Sequence, residues 1–179
     1  MIFRAVEDAD LIERTRKGDV ESYNLLISRW EKRVYNYLFR NLSSREDALD
    51  LCQDVSLKVY QNIRKVDDAA RFGPWLYRIA HNEAYSLVRK RKPEGELTGV
   101  ESPHEPAYPV ELTIAAADAL ERLSPEQREA VVLKIYEGFK FEEMAQVLDC
   151  PVSTVKSRLY TALDVLKNQL APIRTRGVS

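Results

Sequence analysis

Cysteine is nearly absent. The chain has 179 residues and only two cysteines, Cys52 and Cys150, which lie 98 positions apart and belong to no CxxC or Cys/His pair. That spacing argues against a disulfide framework and against a zinc site, and it fits a reducing compartment. Long apolar runs are also missing: no stretch reaches the ~18 consecutive apolar residues that a membrane span needs. The opening MIFRAVEDAD has no apolar signal core, so the expected location is the cytoplasm. Histidine occurs twice, and no serine, second histidine or carboxylate cluster is spaced to make His81 a catalytic base. No enzyme, metal site or cofactor is expected. Strand alternation and internal repeats are likewise lacking, which leaves an all-α chain.

Net charge is scarce too, at −1, but the sum conceals an uneven distribution. Residues 1–92 carry 18 basic against 14 acidic groups, residues 93–111 carry none against five, and residues 112–179 carry nine of each. The basic charge collects in Arg89-Lys90-Arg91-Lys92 and in the tail from Lys156 to Arg176. Residues 93–110 hold four prolines, two glycines and no apolar periodicity, the composition of a flexible linker. The reading is therefore an N-terminal helical domain over 1–92, an acidic linker over 93–110 and a second helical domain over 111–179. With so little net positive charge, the free chain should bind duplex DNA weakly, because non-specific affinity rises with phosphates neutralised.

The N-terminal part predicts four helices. Asp10 can cap a short one that stops at Gly18, and Asp19 can cap the next, where Tyr23, Leu26, Ile27, Trp30, Val34 and Leu38 recur at helical steps. Ser43 with Glu46 reads as a capping box opening a third helix that buries Ala48, Cys52, Val55, Val59 and Ile63. Pro74 starts a fourth, with Leu76, Ile79, Ala80 and Leu87 inside. In the second domain Ser124 and Gln127 form another capping box, and Gly138 ends the helix that follows. Glu142–Leu148, the turn at Asp149-Cys150, and a longer helix from Pro151 then make a helix-turn-helix. Its inner side would hold Val152, Val155, Leu159, Ala162, Leu163 and Leu166.

Three faces are left over once these cores are assigned. Opposite the buried side of the third helix stand Asp50, Gln53, Asp54, Leu57 and Gln61. A leucine among acids and amides suits helix-on-helix docking, although a solvated face with one stray leucine gives the same pattern. On the fourth helix Arg78, Asn82, Tyr85 and Arg89 share one face, with groups that hold phosphates, pair with base edges or stack on an unpaired base. The bland alternative is a solvated basic face. The last helix displays Ser153, Thr154, Lys156, Ser157, Arg158, Tyr160 and Thr161, side chains that can reach a major groove. An αα-hairpin with no DNA role would also place them outward.

These residues resemble the extracytoplasmic-function (ECF) sigma factors, a subfamily of the sigma-70 family of bacterial RNA polymerase. The likeness lies in Asp10-Leu11-Ile12 to Lys17-Gly18-Asp19, in Glu46–Val55, in Trp75–Asn82, in Leu123–Arg128 and in Cys150–Leu159, in the family's order and spacing. The resemblance implies a sigma region 2-like domain that binds core polymerase and reads and melts the −10 element, and a sigma region 4-like domain that reads the −35 element. It implies that Asp50, Gln53, Asp54, Leu57 and Gln61 meet the clamp helices of the largest polymerase subunit. It further implies that a loop from Asp67 to Gly73, with Arg71 and Phe72, captures a base flipped from the melted non-template strand beside Arg78, Asn82, Tyr85 and Arg89. The linker would thread polymerase channels. An anti-sigma protein is implied as a further partner, one that could hold the chain at the inner membrane; no small-molecule substrate is. Ser86 and Thr161 depart from the pattern, since many members carry an acid and a third base there, so the promoter sequence does not follow. A separate reading is a helix-turn-helix regulator with an N-terminal sensor or dimerisation domain; the Arg78–Arg89 stripe speaks against it, because a sensor needs no DNA face.

Overall fold

The computed structural model describes residues 6–91 and 110–174, and the chain divides into two compact units between residues 98 and 99. Among the described residues there are helices and turns but no strand. The first unit holds α1 (Asp8–Arg16), α2 (Val20–Leu42), α3 (Arg45–Asn62) and α4 (Phe72–Arg91). Two 3₁₀ turns, Ile63–Lys65 and Ala69–Arg71, lie between α3 and α4. The second unit holds α5 (Val110–Glu121), α6 (Pro125–Val131), a π turn at Val132–Tyr136, α7 (Phe141–Leu148) and α8 (Val152–Arg174). The linker reading falls outside the described residues, except that Val110 already begins α5.

In the first unit α2 packs on α1, α3 and α4. Of its expected apolar stripe, Leu26, Val34 and Leu38 are buried, whereas Tyr23, Ile27 and Trp30 are half-buried. The expected stripe from Ala48 to Ile63 is buried throughout, its last member, Ile63, falling in the 3₁₀ turn that follows α3. Rings fill the centre: Trp30 meets Phe72 edge-on at 5.6 Å and Tyr77 at 6.4 Å, and Tyr77 meets Tyr37 at 5.0 Å. Such edge-to-face pairs add to the apolar area they bury. Trp30 Nε1 also donates to Asp8 Oδ2 at 2.9 Å, which ties α1 to α2.

The helix ends follow local chemistry. Gly18 takes φ +98° after α1, and Asp19 accepts from the Glu21 and Ser22 N–H groups, as expected. Two caps differ from expectation. The cap of α1 is Glu7, with Asp10 inside the first turn. The cap of α3 is Ser44, which accepts from the Asp47 N–H at 3.3 Å, because Ser43 is already used at φ 55° to end α2. Pro74 is the third residue of α4 rather than its start, still within the first turn where a missing N–H costs nothing.

In the second unit α8 packs on α5, α6 and α7. Ser124 and Gln127 form the expected capping box, and Gly138, at φ +74°, follows the π turn. The helix α5 was not anticipated. Its end is held by Arg128, whose guanidinium donates to the carbonyls of Leu120 (2.9 Å) and Glu121 (3.0 Å). Burial pulls the Arg128 pKa below its ordinary value, yet guanidinium stays charged. The core is mostly aliphatic: Val132, Leu133, Met144, Val147, Val155, Leu159 and Ala162 are buried, together with one ring among the described residues, Phe139. Leu163, expected inside, is exposed, and Val152 and Leu166 are half-buried.

Candidate nucleic-acid interface and docking face

The helix α3 starts well. Ser44 satisfies one orphan N–H, and Glu46 and Asp47 put negative charge at the positive end of the helix dipole. With one side committed to the core, Asp50, Gln53, Asp54, Leu57 and Gln61 all emerge on the exposed side. Leu57 is 57% exposed. Tyr60, three residues on, was not anticipated and adds to that apolar surface. Its ring is fixed edge-on to Tyr23 at 4.8 Å, and Tyr23 is anchored by its hydroxyl donating to the Ser56 carbonyl at 2.6 Å. Burial, and then the neighbouring Tyr60, push the Tyr23 hydroxyl pKa up. The face therefore has a rigid apolar spot within a polar surround.

The helix α4 places Arg78, Asn82, Tyr85 and Arg89 in one exposed row, with Leu76 and Ala80 buried behind and Ile79 and Leu87 partly so. Tyr85 is 62% exposed, and the His81 ring stacks on it at 6.2 Å. Two ion pairs join α4 to α3: Lys58 to Glu83, and Arg91 to Asp47. The Arg91 hydrogen bond is the main reason the Asp47 carboxyl lies below the usual aspartate range. Arg91 is thus tied to Asp47 of α3 while remaining largely exposed, and Arg89, Lys90 and Arg91 are the exposed described members of the basic run.

The segment before α4 corrects one site assignment. The expected loop ends in a 3₁₀ turn capped by Asp68, which accepts from the Ala70 N–H at 2.9 Å, and α4 begins at Phe72. Arg71 is exposed, as a DNA contact requires, but Phe72 is 1% exposed, wedged against Trp30 and Trp75. A ring so placed cannot stack on a captured base. Its role is to seat the start of α4.

On α8, Ser153, Lys156, Ser157, Tyr160 and Thr161 are exposed, and Thr154 and Arg158 are half-buried. Arg158 leans back on the turn, its Nη1 4.0 Å from Cys150 Sγ. The turn itself needs a left-handed residue, and Asp149 supplies it at φ 50°. The α3 and α4 faces share the first unit; the α8 face belongs to the second. Cys52 is buried, with burial the main cause of a thiol pKa pushed up to about 12, which makes it an inert packing residue. Among the described residues no group of three or more His, Cys, Asp or Glu could hold a metal ion, and no helix is long and apolar enough to cross a membrane.

Comparison with known proteins matches both units. Residues 26–94 match the family model of sigma-70 region 2, and residues 114–166 match sigma-70 region 4. The ECF RNA polymerase sigma-E factor of Haemophilus influenzae is 32% identical, with 93% of this chain and 96% of that protein aligned. The sigma-E factor of Escherichia coli K12 is 31% identical, over 94% and 97%. Among solved structures, the Bartonella quintana sigma factor RpoE, in complex with the anti-sigma factor NepR, superposes with a TM-score of 0.73 at 28% identity. That alignment covers 86% of this chain and 97% of the other.

Proposed function

We propose, from the premise that this chain belongs to the ECF group of the sigma-70 family and is an RNA polymerase sigma factor, that its three exposed faces divide the work of promoter recognition. The α3 face of Asp50, Gln53, Asp54, Leu57 and Gln61, with Tyr60, docks on the clamp helices of the largest polymerase subunit. The α4 row of Arg78, Asn82, Tyr85 and Arg89, with Arg71, meets the −10 element and its melted non-template strand. The α8 face from Ser153 to Thr161 enters the major groove of the −35 element. Domain limits of 1–92 and 110–179, with the stretch between them as tether, suit this division. The catalyst is the polymerase.

One observation carries the reading: Leu57 and Tyr85 are large, more than half exposed, and set on neighbouring helices of one small unit, where no core explains either. Energetics explain why the polymerase is needed. Unstacking a base costs a few kcal/mol, and stacking it on one ring returns about 1–3 kcal/mol. Tyr85 alone therefore does not hold DNA open, and a net charge of −1 adds little non-specific affinity. An anti-sigma protein that covers these same exposed groups would switch the chain off, and the Bartonella relative is bound to one.

The test is reconstitution with purified core enzyme on duplex DNA, with the transcripts sequenced. Transcription from defined start sites should require the chain, and Asn82→Ala should abolish it on duplex templates. In parallel, Leu57→Glu should weaken association with core enzyme by about 30-fold or more, the effect of removing an interface hot spot, with helical circular dichroism unchanged. Equal transcription with and without the chain, or unchanged core affinity for Leu57→Glu, would refute the assignment.

A further inference from the structure

A phenylalanine in the second unit makes contacts that neither core nor groove requires. Phe141, the first residue of α7, is half-buried. The Lys134 ammonium lies 4.6 Å from its ring centre, and the Lys156 ammonium lies 5.3 Å from the same centre. The Tyr160 ring stands 6.5 Å away. Lys156 and Tyr160 are one turn apart on the outward side of α8, so one ring supports two of the side chains assigned to the −35 element. Lys134 comes from elsewhere, the π turn, where one extra residue per turn changes the direction of the side chains that follow. Its ammonium donates to the Phe139 carbonyl at 3.0 Å, which fixes the stem. The nearby carboxylate of Glu143 is turned to the Lys140 N–H at 2.8 Å.

Two ammonium groups gathered on a single ring repel one another. A carboxylate between them would remove the repulsion and also neutralise the charge that a phosphate needs. An aromatic face holds a cation without neutralising it, so both charges remain available to a phosphate oxygen. Holding them beforehand also spares the ordering entropy that a free lysine loses on binding. We infer that Phe141 is a positioning residue for the DNA face of α8: its ring presets Lys134 and Lys156 as a pair that grips the phosphate backbone beside the groove. The inference rests on the assignment of α8 to duplex DNA.

The test uses the full-length chain with core polymerase and, as probe, the duplex that this wild-type complex selects from a randomised library. Dissociation constants are measured over a range of sodium chloride for Phe141→Leu, Phe141→Trp, the Lys134→Gln/Lys156→Gln pair, and that pair combined with Phe141→Leu. Phe141→Leu keeps the bulk and removes the aromatic face. It should weaken binding about fivefold, the size of two exposed cation–π contacts, and flatten the log–log salt slope by roughly one. Phe141→Trp should restore both, and Phe141→Leu should add nothing once both lysines are gone. All variants should remain folded at the assay temperature, with melting lowered by no more than a few degrees. If Phe141→Leu binds as tightly and as steeply as wild type, or if Trp fails like Leu and melting falls further than that, the ring is only packing and the inference is overturned. If the lysine pair itself can be removed without effect on affinity or slope, the DNA assignment of α8 fails as well, and the inference with it.

Discussion

The two units differ in how far they build their cores from aromatic residues. In the first, Tyr37, Tyr77 and Phe72 are among the most deeply buried side chains, with Trp30 packed edge-on against two of them. In the second, the largest fully buried side chains are Leu133 and Met144, and Tyr136 and Tyr160 stand largely in solvent. The difference follows from what each unit must hold. The first displays two faces, on α3 and α4; interlocking rings seat α4 on α2, and the Lys58–Glu83 and Arg91–Asp47 ion pairs join α4 to α3. The second displays one exposed polar face, on α8. A small core with a single buried ring among the described residues, Phe139, seats α8 on α5, α6 and α7, and Tyr136 and Tyr160 remain at the surface.

Exchange of equivalent residue types tests that contrast. Phe72→Ala should cost the first unit about 3–5 kcal/mol, the usual range for a buried ring. The measurement is direct, since both tryptophans, Trp30 and Trp75, lie in that unit and report its unfolding by fluorescence in denaturant. Phe141→Leu should shift the stability of the second unit by no more than about 1 kcal/mol, because the ring is only half-buried and its cation–π partners are weak contacts. A loss below about 1 kcal/mol for Phe72→Ala would mean that its ring is not part of the brace.

The same contrast governs what could be read beforehand. Period alone located the buried side of α3, because a helix packed along its whole length imposes strict repetition, and Asp19 and Ser124 announced their helices through their own hydrogen bonds. All five docking candidates on α3 and all four on α4 are exposed as expected, since a core claims the opposite side. What escaped notice depends on the third dimension. Phe72 reads as a loop residue until α4 is seen to start there and draw the ring inward. Phe141 has no partner within its own helix; Lys134 and Lys156 meet it from other elements. The end of α5 is held by Arg128, a residue of the following helix.

Two adjacent serines mark the limit of such reading, because local pattern cannot say which one caps α3. The structure assigns opposite roles. Ser44→Ala should destabilise the first unit by about 1 kcal/mol through loss of the cap. Ser43→Gly should be neutral or stabilising by up to about 1 kcal/mol, since glycine takes φ 55° without a side-chain clash. The opposite order in urea denaturation would move the cap back to Ser43.

The smallest effect concerns how each unit ties its helices together. Arg128 holds α5 through backbone carbonyls, which do not titrate. Arg91 holds the start of α3 through Asp47, which does. The Asp47 carboxyl is depressed chiefly by the Arg91 hydrogen bond, from an ordinary value of 3.8. A depressed carboxyl contributes stability that is fully present above its unfolded pKa and is lost as pH falls through the lower folded one. Asp47→Asn should therefore cost the first unit about 0.5–1 kcal/mol at neutral pH, no more, because Arg91 is largely exposed and water screens the pair. The gap between wild type and variant should stay level down to about pH 4 and close below it as Asp47 takes up its proton. A gap that persists in acid would assign the contribution of Asp47 to the neutral hydrogen bonds of its side chain, leaving the link between α3 and α4 independent of charge.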